Sequence, residues 1–140
     1  MNTLRITLCT VLLAVASASM GQTGAVGMKP GDMSIDVPFS FVVAGQTLPA
    51  GHYVVQKSGD AYIRISSATM GLYVPTHTAQ RSGSDGSKMV FHRYADAYFL
   101  AAVWVAGNTT GRELYPARAE RELARNNKAG VELAEVRPSK

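Results

Sequence analysis

Apolar and polar positions alternate in several short segments of this chain, the period of two expected where one face of a β-sheet is buried. In residues 34–43 the apolar set is Ile35, Val37, Phe39, Phe41 and Val43. Pro38 falls on the outward set and lacks an amide donor, so this first strand is predicted to lie at a sheet edge or to carry a bulge. Similar patterns predict strands over residues 52–57, 61–66, 72–79, 89–94 and 98–105, and weaker alternation predicts one over 131–136.

Turn residues separate these segments at short intervals, and the strands do not alternate with long helices as in a parallel sheet. Ser58-Gly59-Asp60 and Ala95-Asp96-Ala97 indicate hairpin connections. Near the end of the chain, Pro116 favours a helix over residues 117–129, whose narrow apolar stripe predicts a surface position. The expected fold is mainly β, an antiparallel meander of six to seven strands that forms a small sandwich or barrel with one C-terminal surface helix.

The first twenty residues differ in kind from the rest of the chain. Arg5 precedes an apolar stretch of 11 residues, Ile6 to Ala16, which suits a signal peptide and is too short to span a membrane. Small residues follow, and we favour cleavage after Ala18 over Ala16 or Ser19. Residues 1–18 are therefore predicted to be a signal peptide, 19–32 a flexible lead that ends in a turn at residues 29–32, and 33–140 a single domain.

Export follows from this prediction, and the expected location is secreted or periplasmic. A membrane anchor that is never removed is the alternative. After cleavage we expect no stable transmembrane segment.

Composition narrows the possible chemistry. The only cysteine, Cys9, leaves with the signal peptide, so the mature domain has neither a disulfide nor thiol chemistry. The net charge of +4 falls to +3 without Arg5 and is spread along the chain, which gives no indication of nucleic-acid binding. The sequence contains no Gly-x-Ser-x-Gly, His-Glu-x-x-His or phosphate-loop motif, so we expect no enzyme and no cofactor.

The hairpin of residues 89–105 carries the candidate ligand-binding surface. If its turn is symmetric about Asp96, one face holds both aromatic and aliphatic side chains and the other face belongs to the core. A mixed face of this kind can line a small-molecule pocket, although packing beneath the C-terminal helix is the favoured interpretation. The candidate residues are His92, Tyr94, Tyr98, Leu100 and Trp104.

Two histidines form a candidate metal site. If the strands that contain His77 and His92 make a hairpin about residues 84 and 85, the two imidazoles lie opposite each other and could share zinc or copper. His52 does not obviously join them. A slip of one residue separates the pair, and ordinary surface or core histidines remain the favoured interpretation.

Two stretches of the sequence resemble a known family. Residues 35–55 read IDVPFSFVVAGQTLPAGHYVV, and residues 89–124 read MVFHRYADAYFLAAVWVAGNTTGRELYPARAERELA. Through the VPFxF, LPAGxY, VFHRY, YFL and GREL elements they resemble a family of small secreted bacterial proteins, frequent in acidobacteria, whose members have no assigned activity. The resemblance covers most of the mature chain, implies an exported bacterial protein, and transfers no catalytic or binding residue.

These observations favour a non-enzymatic binding or structural module of the cell envelope or exterior. Its partner is unknown, and a small apolar ligand or an envelope component fits the candidate surface. The alternatives are a lipocalin-like carrier of a small apolar ligand and a His-based metal-binding protein. A cavity inside a closed sheet favours the carrier, whereas a filled core favours a module that binds at its surface.

Overall fold

The computed structural model describes residues 28–83, 85–127 and 130–139. The predicted signal peptide and all but the end of the predicted lead lie outside these ranges. The described residues form ten strands and one helix, in the order β1 (Met33–Val37), β2 (Phe41–Val43), β3 (Gln46–Leu48), β4 (Gly51–Ser58), β5 (Tyr62–Ser66), β6 (Gly71–Gln80), β7 (Lys88–Tyr94), β8 (Ala97–Trp104), β9 (Thr110–Leu114), α1 (Arg118–Asn126) and β10 (Glu132–Val136).

The strands join in one sheet with a branch at β8. The order β1-β4-β5-β6-β9-β8 is antiparallel throughout, and β7 pairs with β8 on one side and with β10 on the other. Because β7 pairs along the whole of one edge of β8, β9 and β2 share the other edge, and the β2–β8 contact is parallel. The edges β1 and β10 approach each other, but no pairing joins them in the described part of the chain.

The mainly β class with one helix is confirmed, and three details differ from the prediction. The sheet has ten strands instead of six or seven, is mixed instead of antiparallel, and is not closed. The predicted barrel or sandwich is therefore not confirmed.

Pro38 divides the predicted first strand in two. The inward positions keep their period across the break, since Ile35, Val37, Phe41 and Val43 are all buried. Pro38 is exposed and offers no amide to a ladder, so the chain leaves β1 at the sheet edge beside β4 and continues as β2 beside β8.

Strand β9 lies in a segment for which the sequence pattern predicts no strand. Its residues, TGREL, contain one apolar side chain and a glycine, so alternation gives no signal there. The strand inserts between β6 and β8, with Thr76 opposite Leu114 and Ala102 opposite Glu113. The strands of His77 and His92 consequently do not pair, so the hairpin on which the candidate metal site depended is not formed.

The inner face of the sheet carries a filled core, and we call the opposite side the outer face. Phe41 contacts both Tyr53 and Phe91 edge-on, with ring centres 5.2 and 5.3 Å apart. Tyr53 buries its ring and donates its hydroxyl to the Pro49 carbonyl at 2.6 Å, which satisfies its polar end. The large fully buried side chains include Tyr53, Phe41, Phe91, Ile35, Ile63, Ile65 and Met89.

Helix α1 lies on the surface, as predicted, and is shorter than residues 117–129. The predicted apolar stripe of Tyr115, Ala119 and Leu123 is exposed, and the buried residue of the helix is Glu120. In the ranges that the structure describes, no helix combines the length and apolar character needed to cross a lipid bilayer.

Candidate functional site

A row of side chains crosses four strands on the outer face of the sheet. Cross-strand partners share a face, and the pairing runs from His77 on β6 to Glu113 on β9, then to Ala102 on β8 and Val90 on β7. Since alternate residues along a strand return to the same face, His92 belongs to this face as well. The row brings together residues that are far apart in sequence.

This row forms part of a groove of about 390 Å³, which we call the outer groove. Its volume lies in the range of roughly 300–1,000 Å³ typical of small-molecule sites. Most of the lining is apolar, and polar groups are contributed by two histidines and one carboxylate. The lining includes His77, His92, Trp104, Glu113, Pro116 and Leu133.

His92 is held by a buried carboxylate from the helix. Its Nδ1 lies 2.6 Å from Oε1 of Glu120, whose side chain is only 6% exposed, and the Tyr94 hydroxyl donates to the same oxygen at a longer 3.5 Å. With Nδ1 donating to the carboxylate, Nε2 is the ring nitrogen left for a ligand. Burial and the nearby Glu120 charge raise the pKa of Tyr94, so it remains a neutral phenol.

His77 forms a second, more exposed pair on the other side of the outer groove. Its Nε2 lies 3.2 Å from Oε2 of Glu113, directly across the β6–β9 ladder. The Tyr115 ring, which is 61% exposed, lies 5.0 Å from the His77 ring between centres. His77 and Glu113 therefore lie next to each other in the lining of the groove, and the Tyr115 ring lies beside His77, outside that lining.

Trp104 is fixed between two other groups. Its ring lies so close to the Gly111 backbone that a side chain at residue 111 would overlap it. Arg81, which directly follows β6, places its guanidinium 4.7 Å from the centre of the ring. Only 8% of Trp104 is exposed. The residue therefore shapes the floor of the groove and is a poor stacking platform for a ligand.

The predicted ligand-binding residues divide between the two faces. His92 and Trp104 line the outer groove, and Tyr94 is buried beside Glu120 on the same face. Leu100 belongs to the inner core, and Tyr98 packs there as well, stacked on Phe39 with ring centres 3.8 Å apart.

The turn between β7 and β8 explains this division. Tyr94 pairs with Ala97, so the connection has two residues instead of three, and Ala95 adopts a positive φ of 53°. A register change of one residue sends Tyr98 and Leu100 to the inner face. The bulge at Val90/Phe91 then returns Trp104 to the face of His92.

The two predicted metal ligands lie in the same groove, although not as cross-strand neighbours. His77 pairs with Glu113, and His92 lies on β7, separated from β6 by β9 and β8. Across the described residues, no three His, Cys, Asp or Glu side chains converge as metal ligands. A two-histidine metal site stays a prediction.

The side chains that sequence reasoning missed are Glu113 and Glu120. Each contacts a histidine from a distant strand. The arrangement can accept and donate hydrogen bonds over an apolar floor. Among the described lining residues, none carries a hydroxyl, thiol or amine nucleophile.

Comparison of this chain with protein-family models, with curated proteins and with solved structures gives no match.

Proposed function

We propose that the protein is an exported, non-enzymatic binding module that recognises a neutral, hydroxylated component of the cell envelope, such as a glycan, in the outer groove. The observation that carries this proposal is the pairing of histidine and carboxylate on both sides of one apolar groove. Export rests on the sequence of residues 1–18 and on the resemblance to small secreted bacterial proteins.

The filled inner core favours a surface site over an enclosed carrier site. Phe91 and Met89 are fully buried in the inner core, where a lipocalin-like cavity would need space. The groove lies on the outer face, so a ligand reaches it without opening the core.

The chemistry of the groove favours a ligand that presents both hydroxyl groups and an apolar face. Glu113 accepts hydrogen bonds, and His92 offers the nitrogen that Glu120 leaves unused. The exposed Tyr115 ring beside His77 supplies a flat apolar surface for the C–H face of a sugar ring. The Glu113 carboxylate lies in the groove, and both groove histidines are paired with carboxylates. An anionic ligand is disfavoured because these carboxylates would repel it.

The test is the binding of soluble N-acetylglucosamine oligomers to the mature chain, residues 19–140, by titration calorimetry and by tryptophan fluorescence. Trp104 is the only tryptophan in the chain, and it lines the groove. Glu113→Gln and Tyr115→Ala should each weaken binding about fivefold, since one hydrogen bond or aromatic contact contributes roughly 1 kcal/mol.

The matched control is His52→Ala. His52 also pairs with a carboxylate, at 2.8 Å from Asp36, but it lies on β4 and not in the groove. Its loss should leave oligosaccharide binding unchanged. Equal affinities for the wild type and Glu113→Gln, or the absence of any saccharide binding, would contradict the proposal.

A further inference from the structure

A second cavity, the end cavity, opens at the end of the sheet where the turn of residues 29–32 lies. It has a volume of about 330 Å³, and its floor includes Val55, Ile63 and Val103 from the inner core. At roughly 30 Å³ for each water-sized group, this space holds on the order of ten non-hydrogen atoms. The floor is apolar, so it suits a short hydrocarbon chain or a small ring.

Two cations reach the end cavity from the inner face. Lys57 is the cross-strand partner of the buried Ile63, and Arg112 is the partner of the buried Val103. Cross-strand partners share a face, so both cations continue the inward rows that elsewhere form the core. Inward-pointing cations next to an apolar floor give this cavity one charged end.

The contacts of these cations leave the mouth of the cavity positive. Arg112 donates to the Asp60 carbonyl and, at 3.1 Å, to the Thr78 hydroxyl, neither of which carries a charge. Lys57 pairs at 3.3 Å with the carboxylate of Asp60, which is fully exposed, so solvent screens this pair.

The turn of residues 29–32 forms one wall of the mouth. The backbone N–H of Lys29 donates to the Asp32 carboxylate at 2.8 Å, and Gln56 donates to the same oxygen at 2.7 Å, which attaches the turn to β4. Lys29 is the third cation in the lining, beside Lys57 and Arg112. The carboxylate in the lining is that of Asp32, which already accepts two hydrogen bonds.

We propose that the end cavity binds a small amphipathic anion, with its apolar part on the floor formed by Val55, Ile63 and Val103 and its carboxylate at Lys57 and Arg112. Guanidinium and ammonium groups bind carboxylates through charge-assisted hydrogen bonds, which are stronger than neutral ones. This site is separate from the outer groove and lies on the opposite face of the sheet, so neither proposal depends on the other.

The experiment is titration calorimetry of the mature chain, residues 19–140, with octanoate, octanol and octyltrimethylammonium below their micellar concentrations. Octanoate should bind saturably, octanol at least about tenfold more weakly, and the cation not at all, since a charge-assisted contact contributes about one factor of ten. Methyl NMR shifts should occur at Val55, Ile63 and Val103, while Trp104 fluorescence should stay unchanged.

Lys57→Gln and Arg112→Gln should each weaken octanoate binding about tenfold and leave octanol binding unchanged. Arg121→Gln, which removes an exposed cation from α1, is the matched control and should have no effect. Arg112→Gln also removes the contacts to Asp60 and Thr78, so the folding of this variant is checked by circular dichroism. If Arg112→Gln does not fold, Lys57→Gln alone decides the test.

Two outcomes would overturn the proposal. The first is the absence of octanoate binding, and the second is equal affinity for octanoate and octanol. Loss of saccharide binding with octanoate binding retained would affect only the outer groove.

Discussion

Gly111 occupies a position where the structure leaves no room for a side chain. A Cβ atom at this residue would lie 2.3 Å from Cε3 of Trp104 and 2.6 Å from two other ring atoms. Ordinary contacts of a Cβ begin at 3.4 Å, so Gly111→Ala requires a movement of about 1 Å. Strand β9 is paired on both sides, and Arg81 lies on the Trp104 ring, so neither the backbone nor the ring moves freely.

The expected loss of stability combines two opposing effects. Overpacking a close-packed site costs about 1–3 kcal/mol. Replacing a glycine within a strand recovers about 0.5–1 kcal/mol of backbone entropy. We therefore expect Gly111→Ala to lower the free energy of unfolding by about 1–2 kcal/mol, with a fall in Tm of roughly 4–8 °C for each kcal/mol in a domain of this size.

Thermal and urea unfolding measure the stability, and the emission of Trp104, the only tryptophan, reports the ring position. The emission maximum should shift to the red because the ring, now 8% exposed, moves towards solvent. Gly71→Ala is the matched control. Its added Cβ would come no closer than 3.4 Å to the flexible end of Arg64, so its stability should change by less than about 0.5 kcal/mol.

A double variant separates this steric effect from any general sensitivity of β9. In a Trp104→Leu background, Gly111→Ala should cost less than about 0.5 kcal/mol, because the ring that causes the overlap is gone. If Gly111→Ala alone is as stable as the wild type with unchanged emission, the close approach between Gly111 and Trp104 is refuted.

Two further predictions concern ion pairs. Glu120→Ala should lower the free energy of unfolding by about 1–3 kcal/mol, because His92 loses its buried partner. Glu122 is exposed, so Glu122→Ala should change this free energy by less than about 0.5 kcal/mol. Equal losses for the two variants in urea unfolding would contradict this prediction. The hydrogen bond from Lys88 holds the pKa of Glu135 below its usual 4.5, so the stabilisation from this pair is present above pH 4.5 and is lost as pH falls through the lower folded-state pKa. Lys88→Met should therefore flatten the dependence of urea stability on pH below 4.5, and an unchanged slope would count against the pair.

Alternation in the sequence predicted the inner face well, because burial on one side of a strand is a local property of the chain. Ile35, Val37, Phe41 and Val43 are buried as the period of two indicates, on both sides of the break at Pro38. The predicted turn at residues 29–32 is also confirmed, with the Asp32 N–H donating to the Lys29 carbonyl at 2.9 Å. Each of these signals depends only on neighbouring residues.

The outer groove could not be derived in the same way. A two-residue hairpin turn is usually signalled by glycine, but here Ala95 adopts the left-handed conformation. The sequence therefore did not predict the register of the hairpin, nor the faces on which Tyr98 and Leu100 lie. Strand β9 gave no alternation signal, partly because Gly111 is required by the close approach of Trp104.

The sequence by itself determined which residues of 35–43 point inward, and it predicted one C-terminal helix on the surface. Only the tertiary structure decided that β9 separates the strands of His77 and His92, and that Glu120 is the residue by which the helix attaches to the sheet. The physical reason is that a charged side chain is buried only where a partner satisfies it, and here that partner comes from a strand 28 residues away.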